Sequence, residues 1–309
     1  QKNTWGYHQS MGLGYYEYFL FCEDIGAEPL PVIPAAVPCQ NSSHGGHGQQ
    51  GGVPMEEMGA FIQDILDLIE WANGDPATSK WAKMRADAGH PKPFNLKYLG
   101  IGNEEKISPE FCERFKYMYE RVTKAHPEIV IVGTAGPGSH PENPDYENGW
   151  KLADELGMPI IDEHYYEPNS YFLSSRQYDQ YPRNRKTKVY LGEYAAKDKK
   201  LIDALAEGLY LLHVERNADV VVMTSYAPLF ARKSNTNWNP DLIYFDNERP
   251  FLTCSYYVQQ LFGQSCGQYY YGDCVTFEGD VANIEQPQKD VNYGQSVILN
   301  VKTRKLYVQ

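Results

Sequence analysis

Six short apolar runs alternate with amphipathic helical stretches along this 309-residue chain, and no other feature limits its fold as strongly. The runs are Glu28–Ile33, Tyr98–Gly102, Ile129–Gly133, Pro159–Tyr166, Lys188–Glu193 and Val220–Thr224. Each is close to continuously apolar rather than alternating, which is the mark of a strand covered on both faces. Strands of that kind separated by helices predict a parallel sheet in an α/β fold. Six strands do not close an eight-stranded barrel, so a barrel reading places two further strands before Gln1. Helices are expected over 13–25 (ended by Gly26), Pro54–Asn73, Pro109–Ala125, Trp150–Leu156, Lys199–Arg216 and Cys254–Leu261. The third has Ser108 as its cap and Pro109 in its first position. Beyond Gly267 short β-like runs (268–271, 275–277, 296–301, 306–308) predict the start of an antiparallel β domain. The expected division is therefore 1–250 for the βα part and 251–309 for a closing helix and partial β domain.

Composition removes several function classes. A net charge of −12 without a Lys/Arg block argues against a nucleic-acid surface. No run of 18 apolar residues is present to span a membrane. The opening Gln1-Lys-Asn-Thr-Trp5 has neither an initiator Met nor a signal-like core, and reads as a cut. Cys22 and Cys112 fall in helical apolar patterns and are expected as buried thiols; Cys266 and Cys274 bracket a hairpin-like stretch where pairing is an option. The 25 tyrosines and 5 tryptophans suit core packing, and equally suit stacking on sugar rings.

The chemistry is expected at strand ends. Glu104 ends the Tyr98–Gly102 run in Gly-Asn-Glu, and Glu193 ends Tyr-Leu-Gly-Glu. With two strands between them, they belong to strands n and n+3 of a barrel, and the C-terminal rim of a βα barrel is where catalytic groups sit. A retaining glycosidase uses two carboxyl groups roughly 5 Å apart, one protonated and one ionised. Either Glu by itself is also explained as a solvated strand-end or helix-start carboxylate. Asn103 is placed to hold a substrate hydroxyl. His164 and Tyr166, in Asp162-Glu-His-Tyr-Tyr166, are placed to donate to the nucleophile; the alternative is a core imidazole and a packing ring. Asp162 is the stronger rival carboxylate there, since by alternation it shares a face with His164 and Tyr166. Trp238 is read as a sugar platform at the rim, or as a loop anchor. His44 and His47 in a Gly-rich loop, with His8 and His90 elsewhere, form a poor metal set without neighbouring Cys or carboxylates, so no metal is expected. Neither a GxGxxG nor a Gly-x-Ser-x-Gly pattern occurs, and no cofactor is expected.

Taken in order, Gln9-Ser-Met-Gly-Leu-Gly14, Cys22 through Leu30, Tyr98 through Glu104, Asp162 through Tyr166, Tyr190 through Ala195, Ser225 through Phe230 and Trp238-Asn-Pro-Asp241 resemble glycoside hydrolase family 51, the α-L-arabinofuranosidases. The resemblance implies a (β/α)8 TIM-type barrel, lacking its first two strands in this chain, followed by a C-terminal β-sandwich. It implies a retaining, exo-acting mechanism with Glu104 as acid/base, Glu193 as nucleophile, Asn103 at the sugar 2-hydroxyl and Tyr166 against the nucleophile. The implied partner is an arabinose-containing oligo- or polysaccharide, with no cofactor, no nucleic acid and no membrane, in a possible homo-oligomer. A secreted or periplasmic location is favoured. The family's Arg-(Phe/Tyr)-Pro-Gly-Gly motif and an earlier arabinose-binding glutamate are missing here, so an internal fragment with an incomplete subsite is expected, its missing flanks exposing sheet edges. Two readings stand beside this one: another clan A retaining glycosidase (a β-xylosidase or endoglucanase), and a non-catalytic carbohydrate-binding fragment.

Overall fold

The computed structural model describes residues 6–39, 52–138, 140–272, 274–275 and 294–309. They form two compact units, Gln1–Glu163 and His164–Gln309, divided within a single strand.

The first unit is a run of βα elements. Helix α1 (Tyr15–Ile25) stops at Gly26, whose φ of 70° supplies the left-handed residue that ends a helix. Strand β1 is only Val32–Ile33, shorter than the apolar run. Pro29, Pro31 and Pro34 carry no N–H and cannot extend a ladder. Helix α2 (Met58–Asn73) buries Met58, Ile62, Ile65, Ile69 and Ala72 at helical spacing. Helix α3 (Lys80–Asp87) is not anticipated by hydrophobic periodicity; Ser79 caps it, and its buried Arg85 donates to the carbonyls of Trp71, Ala72, Gly74, His90 and Pro91. Strand β2 (Tyr98–Ile101) leads to α4 (Pro109–Ala125), where Ser108 Oγ accepts from Phe111 N at 3.2 Å. Strand β3 (Val130–Thr134), helix α5 (Pro144–Leu156, capped by Asn143) and strand β4 (Ile160–Glu167) follow. β1–β2, β2–β3 and β3–β4 all pair in parallel. The core is Leu99, Ile101, Ile131 and Val132 from the strands and Phe111, Phe115, Met118 and Val122 from α4, all buried. Full burial of side chains this size is worth roughly 1.5–3 kcal/mol each.

The second unit begins with the end of β4. Helix α6 (Asn169–Ser174) and a 3-10 turn (Gln177–Gln180) lead to β5 (Lys188–Ala196), α7 (Leu201–Arg216) and β6 (Val221–Tyr226), with β5 and β6 parallel. Phe172, Tyr178, Tyr194 and Tyr210 are fully buried here, so much of the tyrosine content is core. Strands β7 (Phe230–Arg232), β8 (Ile243–Phe245) and β9 (Pro250–Leu252) form a small sheet that the six-run reading did not include. Helix α8 (Cys254–Gln264) follows. Strands β10 (Tyr269–Tyr270), β11 (Val297–Asn300) and β12 (Lys305–Val308) then make the expected antiparallel sheet. Of the predicted run at 275–277, residues 276–277 lie outside the described residues.

All six cysteines are free of disulfides, including Cys266 and Cys274. Cys22 and Cys112 are half-buried rather than buried, and desolvation still raises both thiol pKa values. Among the described residues no helix is long and apolar enough to cross a membrane.

Candidate active site

In the first unit the site is built on the end of β2. The chain leaves the strand at Gly102 with φ 91°, where a Cβ would come within 2.8 Å of Thr134 Cγ2 and 2.9 Å of Glu105 Oε2. Glycine is required there on both counts. Two residues on, Glu104 has φ 59°, a left-handed conformation that costs a non-glycine residue on the order of 1 kcal/mol and persists only where its surroundings enforce it. Glu104 is 7% exposed, and the neighbouring Glu105 is wholly buried. Glu105 Oε2 accepts from Asn103 N at 2.5 Å and Oε1 from Ala35 N at 3.3 Å. Burial pushes the Glu105 carboxyl pKa up; the backbone N–H bonds oppose that, and the Glu104 charge adds to it. The Asn103 amide donates to Cys39 Sγ at 3.5 Å.

Glu163, one of the rival carboxylates, is wholly buried and accepts from Trp150 Nε1 at 3.0 Å, a bond that ties β4 to α5. Asp162 is 7% exposed, and its backbone carbonyl accepts from Ala135 N at 2.9 Å.

In the second unit β4 and β5 bring His164, Tyr166 and Glu193 together. The Tyr166 hydroxyl donates to Glu193 Oε2 at 2.7 Å, and His164 Nδ1 lies 3.6 Å from the same oxygen. The longer distance is an electrostatic contact rather than a hydrogen bond. The β5–β6 register shifts between Leu191 and Tyr194, bracketing Glu193; such irregularities re-aim side chains next to functional sites. His164 is 5% exposed while Glu193 keeps partial access to solvent, so the carboxylate is oriented by groups behind it and open in front. The Tyr166 ring meets Trp238 edge-on at 5.1 Å, and Trp238 is 46% exposed.

A layer beneath β5, unforeseen from the sequence, holds its C-terminal end. Tyr194 Oη donates to Gln259 Oε1 at 2.8 Å, and the buried Glu207 of α7 accepts from Ala196 N at 2.9 Å through Oε1. Desolvation pushes the Glu207 carboxyl up to about 7, with the Ser255 hydroxyl and Ala196 N–H acting the other way. Its sequence signal was an acidic residue inside an apolar helix stripe (Ala204, Tyr210, Leu211, Val214). Glu105 carried a weaker signal, a second Glu directly after a strand-end Glu.

Metal binding is not expected of His8, His44, His47 and His90. His90 bonds Lys92 O at 2.7 Å and Glu23 Oε2 at 2.8 Å and stacks on Phe94; His8 is exposed; His44 and His47 lie outside the described residues.

Parallel βα strands that carry carboxylates, an amide and a tyrosine at their C-terminal ends match the arrangement in which βα-barrel glycosidases place their catalytic groups. The comparisons narrow this. A family model, the α-L-arabinofuranosidase 1 domain, matches residues 1–185, and the α-L-arabinofuranosidase C-terminal domain matches residues 180–285. The chain belongs to the α-L-arabinofuranosidase family. It is 46% identical over 267 residues to an extracellular exo-α-L-arabinofuranosidase of Streptomyces chartreusis, covering 86% of this chain and 31% of that protein. It is 33% identical to α-L-arabinofuranosidase 2 of Arabidopsis thaliana, covering 97% of this chain and 44% of the relative. Among solved structures, the arabinose-bound MgGH51 α-L-arabinofuranosidase superposes with a TM-score of 0.76 at 26% identity, over 100% of this chain and 47% of that one. The chain thus spans under half the length of these relatives.

Proposed function

We propose that the protein carrying this chain is a retaining, exo-acting α-L-arabinofuranosidase. Glu193 is the nucleophile and Glu104 the general acid/base. Glu193 attacks the anomeric carbon of a terminal arabinofuranosyl unit while Glu104 protonates the departing glycosidic oxygen. A glycosyl-enzyme ester forms on Glu193; water, losing its proton to Glu104, then displaces it, so the configuration is retained. The observation that carries this reading is the 2.7 Å bond from Tyr166 to Glu193. A phenol donating to a carboxylate oxygen favours the ionised form, the state in which a carboxylate attacks. Asn103 holds a sugar hydroxyl, His164 supports the nucleophile, and Trp238 presents its exposed face to the substrate. An arabinose-containing oligo- or polysaccharide is the substrate. Action outside the cytoplasm fits the relative named as extracellular.

The test is chemical rescue. Glu193→Ala should lose hydrolysis by about 10⁴-fold or more, and azide should restore turnover as a glycosyl azide of inverted configuration. Glu104→Ala should spare aryl arabinosides with good leaving groups, which need little protonation, and fail on alkyl and natural arabinosides. Normal rates in both variants on natural arabinosides would end the assignment.

A further inference from the structure

We propose that Glu105 is a positioning residue for the acid/base: its buried carboxylate is the strut that holds the Asn103–Glu104 turn in the conformation from which Glu104 exchanges its proton. The inference rests on Glu104 as the acid/base and adds a residue whose wholly buried side chain is bonded to backbone N–H groups.

The turn is not one the chain would choose unaided. Gly102 (φ 91°) and Glu104 (φ 59°) are both left-handed, and Glu104 has no glycine's freedom to be so. What enforces it is visible in Glu105. One carboxylate oxygen accepts the Asn103 N–H, inside the turn, and the other accepts the Ala35 N–H, just past β1. The strut therefore ties the turn to the segment after the neighbouring strand. The packing leaves it no alternative seat, since Glu105 is wholly buried and its Oε2 lies 2.9 Å from where a Gly102 side chain would begin. Asp145 of α5 braces the next stretch, accepting from Ile107 N at 2.8 Å. Two adjacent glutamates thus divide the labour, the first presenting its carboxyl for chemistry and the second spending its own on backbone.

A merely structural Glu105 would affect all substrates alike, and that separates the two roles. Glu105→Gln keeps the volume, but its amide NH2 cannot accept, so one of the two backbone N–H groups loses its partner. Misaiming Glu104 weakens proton donation, which matters for poor leaving groups and little for good ones. In the purified enzyme, Glu105→Gln is expected to lower kcat/KM about tenfold or more on alkyl arabinofuranosides and less than about threefold on the 2,4-dinitrophenyl arabinofuranoside. Glu105→Asp, which keeps both acceptors at shorter reach, should show the same pattern more weakly, and serves where Gln does not yield folded protein. Equal losses on both substrates, or none, overturn the proposal. Glu104→Ala run alongside isolates the cause: if it lacks the leaving-group signature the acid/base reading fails, and if it has the signature while Glu105 variants do not, only the strut fails.

Discussion

The Tyr166 hydroxyl reaches Glu193 Oε2 at 2.7 Å from the neighbouring strand, and its removal is a clean change. Tyr166→Phe keeps the ring and its edge contact with Trp238 and deletes one donor to a carboxylate. A hydrogen bond to a charged group contributes about 1.5–3 kcal/mol, so kcat should fall on the order of 10- to 100-fold. Steady-state kinetics would show this with the melting temperature nearly unchanged; a wild-type kcat would remove Tyr166 from the machinery. At this scale the proposed catalytic residues could be named from motifs because chemistry restricts their type: an attacking carboxylate must be Asp or Glu, and in a βα barrel it sits where strands end. Glu105 and Glu207 were not legible as supports. Their roles depend on which backbone N–H lies opposite, and Ala35 is 70 residues from Glu105.

Helix α7 makes an element-scale prediction through Glu207. Its carboxyl faces Tyr194 of β5, Tyr226 of β6, Ser255 of α8, and Asp203 on its own helix. Burial holds its pKa at about 7 against 4.5 for an ordinary glutamate. As pH rises through that interval the unfolded chain gives up its proton and the folded one keeps it. This group therefore costs nothing below about 4.5 and removes stability progressively up to about 7, by roughly 3 kcal/mol at most. Glu207→Gln should flatten the decline in Tm across that window; an unaltered slope would show that Glu207 does not titrate there. Among the elements, α4 matched its expected bounds because Ser108 and Pro109 set its start chemically. β1 shrank because three prolines cannot join a ladder. α3 escaped notice because a buried Arg85, satisfied by five carbonyls, breaks the rule that buried faces look apolar.

For the whole molecule, 40 acidic against 28 basic residues give an acidic protein, while the proposed arabinoside substrate carries no charge to steer. Its kcat/KM on neutral substrates should vary less than about twofold between 0.05 and 0.5 M salt, since screening has no long-range attraction to weaken. A steep salt dependence would point instead to a charged ligand. At this scale the amino-acid sequence determined the alternation of strand and helix, the parallel pairing, the bounds of α4, and which strand ends bear carboxylates. These follow from periodicity and local backbone chemistry, which neighbours in the chain decide among themselves. The tertiary structure alone decided that Tyr166 donates to Glu193, that Glu163 is spent on Trp150, and that Glu105 and Glu207 are sealed from water beneath strand ends. Burial and hydrogen-bond pairing are properties of groups brought together by packing, and a linear sequence does not state which groups those are.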